Sequence, residues 1–190
     1  MSKMIKRIVS GCLVICMLAG LSSATTVFAR MVVYGSEKAG YLVAPRQIRK
    51  KTNTYDDSSV NKAYKSYMAY GAKVWKDCGI MTMKRDKSSV NKVVAYDLQD
   101  TSVAAETHTE INYITGYIKS FEIRFNARYM NGYSASLNKA IAAHEIGHTF
   151  GLLDLYEKRN KPQLMYGGND SYPPKPTAKD IKGAKYATRK

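Results

Sequence analysis

Cysteine is scarce in this sequence, and its scarcity limits how the fold can be stabilised. The chain has 190 residues and three cysteines. Two of these, Cys12 and Cys16, lie in an apolar run near the N-terminus, so removal of that run leaves Cys78 alone. A single cysteine excludes an internal disulfide. We therefore expect a domain held together by a hydrophobic core, which a chain of this length can bury.

Long apolar runs are also scarce. The most apolar stretch, residues 8–21, is shorter than the roughly 20 residues that a membrane-spanning helix needs. No retained membrane span is therefore expected. Basic residues precede the stretch and small residues follow it, a pattern typical of a secretory signal peptide with its cleavage site after Ala29. The sequence predicts a signal peptide over residues 1–29 and a secreted, extracellular protein.

Acidic residues are few, 15 against 30 lysines and arginines, which gives a formal net charge of +15. Such a charge attracts anionic partners, and outside a cell these include cell-envelope polymers. The lysines are dispersed and no nucleic-acid-binding motif accompanies them, so the charge is interpreted mainly as a solubility feature and no specific nucleic acid is expected. Calcium is a candidate second ion only, because the carboxylates are scattered.

The chain has no internal repeat and is interpreted as one α+β domain. Residues 30–46 are expected to form a short N-terminal arm, and residues 47–190 the domain itself. Asp56, Asp57 or Ser58 is the candidate N-cap of the first helix. Ser134 or Ser136 is the candidate start of the helix at 137–150. Apolar spacing, β-branched segments and turn residues predict the elements in the following order. A strand at 47–55 precedes a helix at 58–77, strands of one sheet at 80–84, 92–98, 104–111 and 117–126, and helices at 137–150 and 177–187.

Histidine is rare as well, and its placement is the most informative feature of the sequence. Two of the three histidines, His144 and His148, are four residues apart, with Glu145 between them. On a helix both imidazoles lie on one face and can bind a single metal ion. Gly151 can adopt the positive φ that ends a helix. Asp154, six residues past His148, can then bring a carboxylate to the same ion.

These residues predict a catalytic zinc site, because three protein ligands leave a fourth position for water. Zinc lowers the pKa of water and polarises a carbonyl, while Glu145 is expected to take the proton and deliver it to the leaving amine. His108 is the rival third ligand, although no spacing argument supports it. The alternative interpretation is a helix with two unrelated histidines and an Asp154 that caps a turn.

The segment HEIGHTFGLLD, which begins at His144, resembles the HExxHxxGxxD signature of the metzincin clan of zinc metallopeptidases. It is closest to the snapalysin variant, in which Asp is the third zinc ligand. Residues 163–168, which read QLMYGG, look like the Met-turn of that clan, and residues 177–186 resemble the closing helix of matrixins. The resemblance implies a metzincin-like (zincin) catalytic domain with a twisted mixed sheet and three helices.

The same resemblance implies roles for individual residues. His144, His148 and Asp154 would be the zinc ligands, Glu145 the general base, and Met165 a packing residue under the metal. Substrate would bind as an extended strand at a sheet edge, for which residues 104–111 are the candidate, and residues 166–174 would line the pocket beyond the cleaved bond. Tyr156 is a candidate for stabilising an oxyanion, alongside a purely structural role.

Together these interpretations predict a secreted zinc metalloendopeptidase, a hydrolase that cleaves peptide bonds in extracellular proteins or peptides. Two alternatives stay open. One is a zinc-containing cell-envelope binding module that has lost hydrolysis, and the other is a zinc hydrolase that acts on cell-wall peptides. Glu145 argues against the binding module, because metal binding alone does not need that carboxylate.

Overall fold

The computed structural model describes residues 33–44, 48, 51–99, 102–112, 114–115, 117–168 and 172–189. The predicted signal peptide, residues 1–29, lies outside the described residues. The described chain is a mixed α+β fold with several small sheets and four helices. None of its described helices has both the length and the apolar character needed to cross a bilayer.

The first helix, α1, spans Lys62–Asp77 and lies between two parallel strands, β3 (Thr52–Tyr55) and β4 (Thr82–Arg85). Its N-cap is Asn61, whose side-chain oxygen accepts hydrogen bonds from the amides of residues 63 and 64. The predicted caps at 56–58 were therefore wrong. Asp56 instead accepts a hydrogen bond from the Ser58 amide, which forms a turn ahead of the helix.

The central sheet has three strands, β5 (Lys92–Tyr96), β6 (Ala105–Ile111) and β7 (Ile118–Asn126), in the order β5-β7-β6. β5 pairs with β7 in parallel, and β6 pairs with β7 antiparallel. The expectation of a single sheet is corrected, since β4 pairs with β3 in a separate sheet and one isolated bridge, Asp56 with Lys92, connects the two. As predicted, β6 lies at the edge of its described sheet.

The helix that carries the two histidines, α3 (Ala135–Thr149), lies at the centre of the molecule, where every residue from 140 to 149 is buried. Ser134 caps it, as one of the two predicted starts. The fully buried Trp75 of α1 donates a 2.7 Å hydrogen bond from its indole nitrogen to the Ala143 carbonyl. A short helix that was not predicted, α2 (Ala127–Met130), precedes α3. Packing against α1 thus fixes the position of α3.

The described part of the N-terminal arm is folded onto the domain. It forms the strands β1 (Tyr34–Ser36) and β2 (Tyr41–Val43), which pair antiparallel with each other. β2 also pairs with β8 (Leu152–Leu153), which directly follows α3. The arm thereby contacts the segment that runs from the histidine helix toward Asp154.

The last helix, α4, spans Ala178–Ala187 and begins with a capping box formed by Thr177 and Asp180. The buried Asp180 carboxylate also accepts hydrogen bonds from the amides of Leu164, at 2.9 Å, and Met165, at 3.2 Å. α4 thus fixes the turn that passes beneath α3.

Candidate metal centre

Three donor atoms converge at the C-terminal end of α3. The Nε2 atoms of His144 and His148 are 3.1 Å apart. Oδ1 of Asp154 lies 3.0 Å from the first and 3.5 Å from the second. All three residues are buried. The structure therefore brings together the three residues that the sequence predicted as metal ligands.

Hydrogen bonds on the far side of each imidazole determine which nitrogen faces the centre. Nδ1 of His144 lies 2.7 Å from the Leu164 carbonyl, and Nδ1 of His148 lies 2.8 Å from the Leu152 carbonyl. A carbonyl oxygen only accepts, so each Nδ1 carries the proton and, in the neutral ring, each Nε2 presents a lone pair. Both lone pairs point toward the Asp154 carboxylate.

This donor set fits a metal ion. Two imidazole lone pairs and a carboxylate oxygen at these distances repel one another unless positive charge lies between them. Oδ1 of Asp154 is buried and accepts no hydrogen bond from the described residues. A bound cation would satisfy all three donors together.

Glu145 lies beside the centre, with its carboxylate within 4.8 Å of the imidazole nitrogens. This proximity makes it a rival third ligand to Asp154. We favour Asp154, because its Oδ1 lies 3.0 and 3.5 Å from the two Nε2 atoms and accepts no hydrogen bond from the described residues. Oε2 of Glu145, by contrast, accepts a 2.8 Å hydrogen bond from the hydroxyl of Thr107 on β6. Thr107 is 0% exposed and was missed by the sequence analysis. The one feature of the sequence that could have pointed to Thr107 was its position in residues 104–111, the predicted substrate-binding edge strand.

Glycines let the chain approach the centre closely. Gly151 has φ 102°, the positive value predicted for the end of the helix. A Cβ on Gly167 would lie 2.8 Å from Cγ of Asp154, and a Cβ on Gly147 would lie 2.5 Å from Sδ of Met165. The buried Met165 thioether therefore packs directly against α3 at Gly147, a residue that lies between the two histidines in sequence.

Two tyrosines complete the surroundings. Tyr156 is 54% exposed, and its hydroxyl donates a 3.2 Å hydrogen bond to Oδ2 of Asp154. The ring of Tyr172 packs edge-on against His144, with 5.2 Å between centroids. Burial first, and then the negative charges of Asp154 and Glu145, raise the pKa of Tyr172 well above its usual value. Tyr172 belongs to the predicted pocket-lining range 166–174, of which 169–171 lie outside the described residues.

His108 is not brought to the centre. Its Nε2 lies 3.0 Å from Oε2 of Glu106 on the same strand. The group of metal-ligating side chains found among the described residues contains the other two histidines and not this one.

Neither a protein-family model nor a curated protein sequence matches this chain. A solved structure that it resembles is described as the GM1-bound form of the ECX AB5 holotoxin. The TM-score is 0.57 at 14% sequence identity, and the match covers 85% of this chain and 92% of that chain. At this identity the similarity concerns the fold alone.

Proposed function

We propose that this protein is a secreted, zinc-dependent metalloendopeptidase that hydrolyses peptide bonds in extracellular proteins. The observation that carries the proposal is the triangle of His144, His148 and Asp154 donor atoms with a buried glutamate beside it. The finer fold that we propose is a metzincin-like catalytic domain, supported by the sequence motif and by the packing of Met165 under α3.

Zinc is the proposed ion because the donors and their spacing suit it. Imidazole nitrogen and carboxylate oxygen are common zinc ligands, and bonds of about 2.0 Å at tetrahedral angles separate neighbouring donors by about 3.3 Å. The three distances here are 3.0, 3.1 and 3.5 Å. Three protein ligands also match a catalytic zinc site, which keeps one position open, better than a closed structural site.

The chain's own residues account for the rest of the proposed mechanism. When bound, zinc supplies Lewis-acid chemistry that polarises a carbonyl and makes water more acidic. Glu145 accepts the proton of the attacking water and returns it to the leaving amine. Thr107 holds one oxygen of that carboxylate. The Leu164 and Leu152 carbonyls hold the two imidazoles in the tautomer that binds metal.

The edge position of β6 supports a peptide substrate. An extended peptide can add to an open strand edge through main-chain hydrogen bonds, and β6 carries Thr107, which contacts Glu145. A peptide on this edge would therefore lie next to the proposed base. Anionic envelope polymers stay proposed partners on the basis of the net charge of +15 alone.

The decisive experiment measures zinc content and proteolysis together. The purified protein is expected to bind one zinc per chain and to digest casein or gelatin until a chelator is added. Glu145→Gln should keep the zinc and lose about 10²–10⁴-fold in kcat, since it removes the general base. His144→Ala should lose the zinc, while the matched control His108→Ala should keep both zinc and activity.

Each outcome separates the hypotheses. Wild-type protein that binds no stoichiometric zinc refutes the proposal. Zinc without cleavage of any protein or peptide favours the envelope-binding module, and cleavage restricted to cell-wall peptides favours the alternative hydrolase. An active Glu145→Gln variant removes Glu145 from its role.

A further inference from the structure

Glu37 joins the N-terminal arm to the loop that follows Asp154. It lies in the turn between β1 and β2. One carboxylate oxygen accepts a 2.6 Å hydrogen bond from the Tyr156 amide. The other accepts from the Glu157 amide at 3.2 Å and from the side-chain amide of Asn160 at 2.5 Å. The backbone carbonyl of Glu37 also accepts from the Asn160 side chain, at 2.8 Å. One residue of the arm thus receives four hydrogen bonds from this loop.

Strand pairing holds the other side of the same segment. Val43 pairs with Leu152 and Leu42 with Leu153, and the Ala44 amide donates a 2.8 Å hydrogen bond to the Gly151 carbonyl. The Leu152 carbonyl is in turn the acceptor for Nδ1 of His148. The arm therefore contacts the chain just before Asp154 through β2 and just after it through Glu37.

We infer that Glu37 is a positioning residue for Asp154 and that it sets the affinity of the centre for metal. The inference rests on the metal site proposed above. The Glu37 carboxylate fixes the backbone of Tyr156, and the Tyr156 hydroxyl contacts Oδ2 of Asp154 at 3.2 Å. Charge-assisted hydrogen bonds of this kind are about twice as strong as neutral ones. Glu37 thus acts on the orientation of Asp154 without touching the metal.

The geometry explains why these hydrogen bonds of Glu37 matter for metal binding. Asp154 is not on α3 but on a short segment that leaves the helix at Gly151, so the helix alone does not fix its carboxylate. Groups hydrogen-bonded directly to a metal ligand typically change metal affinity about 10–100-fold when they are replaced, and Glu37 supports one such group, Tyr156. Asn160 is 0% exposed, so its amide has no water to replace the Glu37 oxygen.

The test is Glu37→Gln, which keeps the size of the side chain and replaces one acceptor oxygen with a donor. The matched control is Ser36→Ala, which removes the 3.0 Å hydrogen bond from the Ala39 amide in the same turn and leaves the Glu37 contacts in place. Zinc affinity is measured on metal-free protein by competition with a chromogenic chelator. The visible absorption of the cobalt-loaded protein reports the ligand geometry independently of activity.

We expect Glu37→Gln to bind zinc about 10–100-fold more weakly than wild type, with Ser36→Ala within about twofold of it. The cobalt bands of Glu37→Gln should shift, while those of Ser36→Ala should not. Tyr156→Phe, which keeps the backbone contact with Glu37 but removes the hydroxyl that touches Asp154, should weaken zinc binding as well. Equal zinc affinity and equal spectra for Glu37→Gln and wild type overturn the inference.

Folding is checked by circular dichroism of the metal-free proteins. If Glu37→Gln is unfolded, the same titration on Glu37→Asp decides, because it keeps the charge but shortens the reach. Glu37→Asp that binds zinc as tightly as Ser36→Ala overturns the inference, and weaker binding supports it. A wild-type protein without a zinc site refutes the proposed function instead, so the two failures are distinguishable.

Discussion

The hydrogen bond between Thr107 and Glu145 allows a quantitative test of how the edge strand serves the proposed base. Thr107→Val removes the hydroxyl and keeps the shape of the side chain. The hydroxyl has one proton, with Oε2 of Glu145 at 2.8 Å and the Glu145 backbone carbonyl at 3.0 Å as its acceptors. Donated to the shorter contact, a carboxylate on a residue that is 1% exposed, the bond is worth about 1.5–3 kcal/mol. Thr107 is itself fully buried, so no water can take the place of its hydroxyl.

The energy converts directly into a rate. If the full value is expressed in the transition state, kcat falls about 10–100-fold, since each 1.4 kcal/mol is about tenfold. The assay follows cleavage of a fluorogenic peptide, with kcat and KM determined separately and zinc content measured on the same samples. We expect the loss to fall on kcat, with zinc content unchanged, because Thr107 contacts the base and none of the three ligands.

The control for this prediction is Thr107→Ser, which keeps the hydroxyl and removes a methyl group. It should retain more of kcat than Thr107→Val does. A Thr107→Val enzyme with kcat within about twofold of wild type would refute the reasoning, since a hydrogen bond to a charged acceptor cannot be that weak if it holds the base. Loss of zinc from the valine variant would assign Thr107 to the metal site instead.

Two further predictions concern packing and pH. Gly167→Ala places a Cβ 2.8 Å from Cγ of Asp154, so zinc affinity in a chelator competition should weaken about 10–100-fold. Gly132→Ala, whose Cβ would meet nothing nearer than 3.5 Å, should leave that affinity unchanged. Burial, followed by the charge of Glu106, raises the pKa of Tyr96 to about 12. An unfolded tyrosine ionises near pH 10, so the folded state holds the Tyr96 proton more tightly than the unfolded state does. The stability that this difference provides is present below about pH 10 and is lost as the pH rises through about 12. Tyr96→Phe should therefore lose less unfolding free energy than wild type across that interval in urea titrations, and an identical decline would contradict the argument.

Local signals in the sequence predicted most elements and the residues of the candidate centre. The helical period places His144 and His148 on one face, and the structure puts their Nε2 atoms 3.1 Å apart. The exit at Gly151 and the helix start at Ser134 were likewise readable, because each depends on the conformation of one or two residues. The predicted N-cap of α1 was wrong, since Asp56, Asp57 and Ser58 are residue types that cap helices as well as Asn61 does.

Other features depend on contacts between residues far apart in the chain, and a single sequence carries no such information. The division of the strands into separate sheets, the Thr107 hydroxyl on Glu145, and the carbonyls of Leu152 and Leu164 behind the imidazoles belong to this class. The role of Glu37 does as well, because its partners lie about 120 residues away.

The sequence by itself determined that two imidazoles lie about one turn apart on the same helix face with a glutamate between them, and that a carboxylate follows a helix-ending glycine. That much is set by the 3.6-residue period and by the backbone freedom of glycine. Only the tertiary structure decided that Oδ1 of Asp154 lies close to both imidazoles. It also decided that the N-terminal arm, through Glu37, binds the loop that follows Asp154. The reason is physical, since packing between distant segments sets where a loop carboxylate lies, and no local preference can do so.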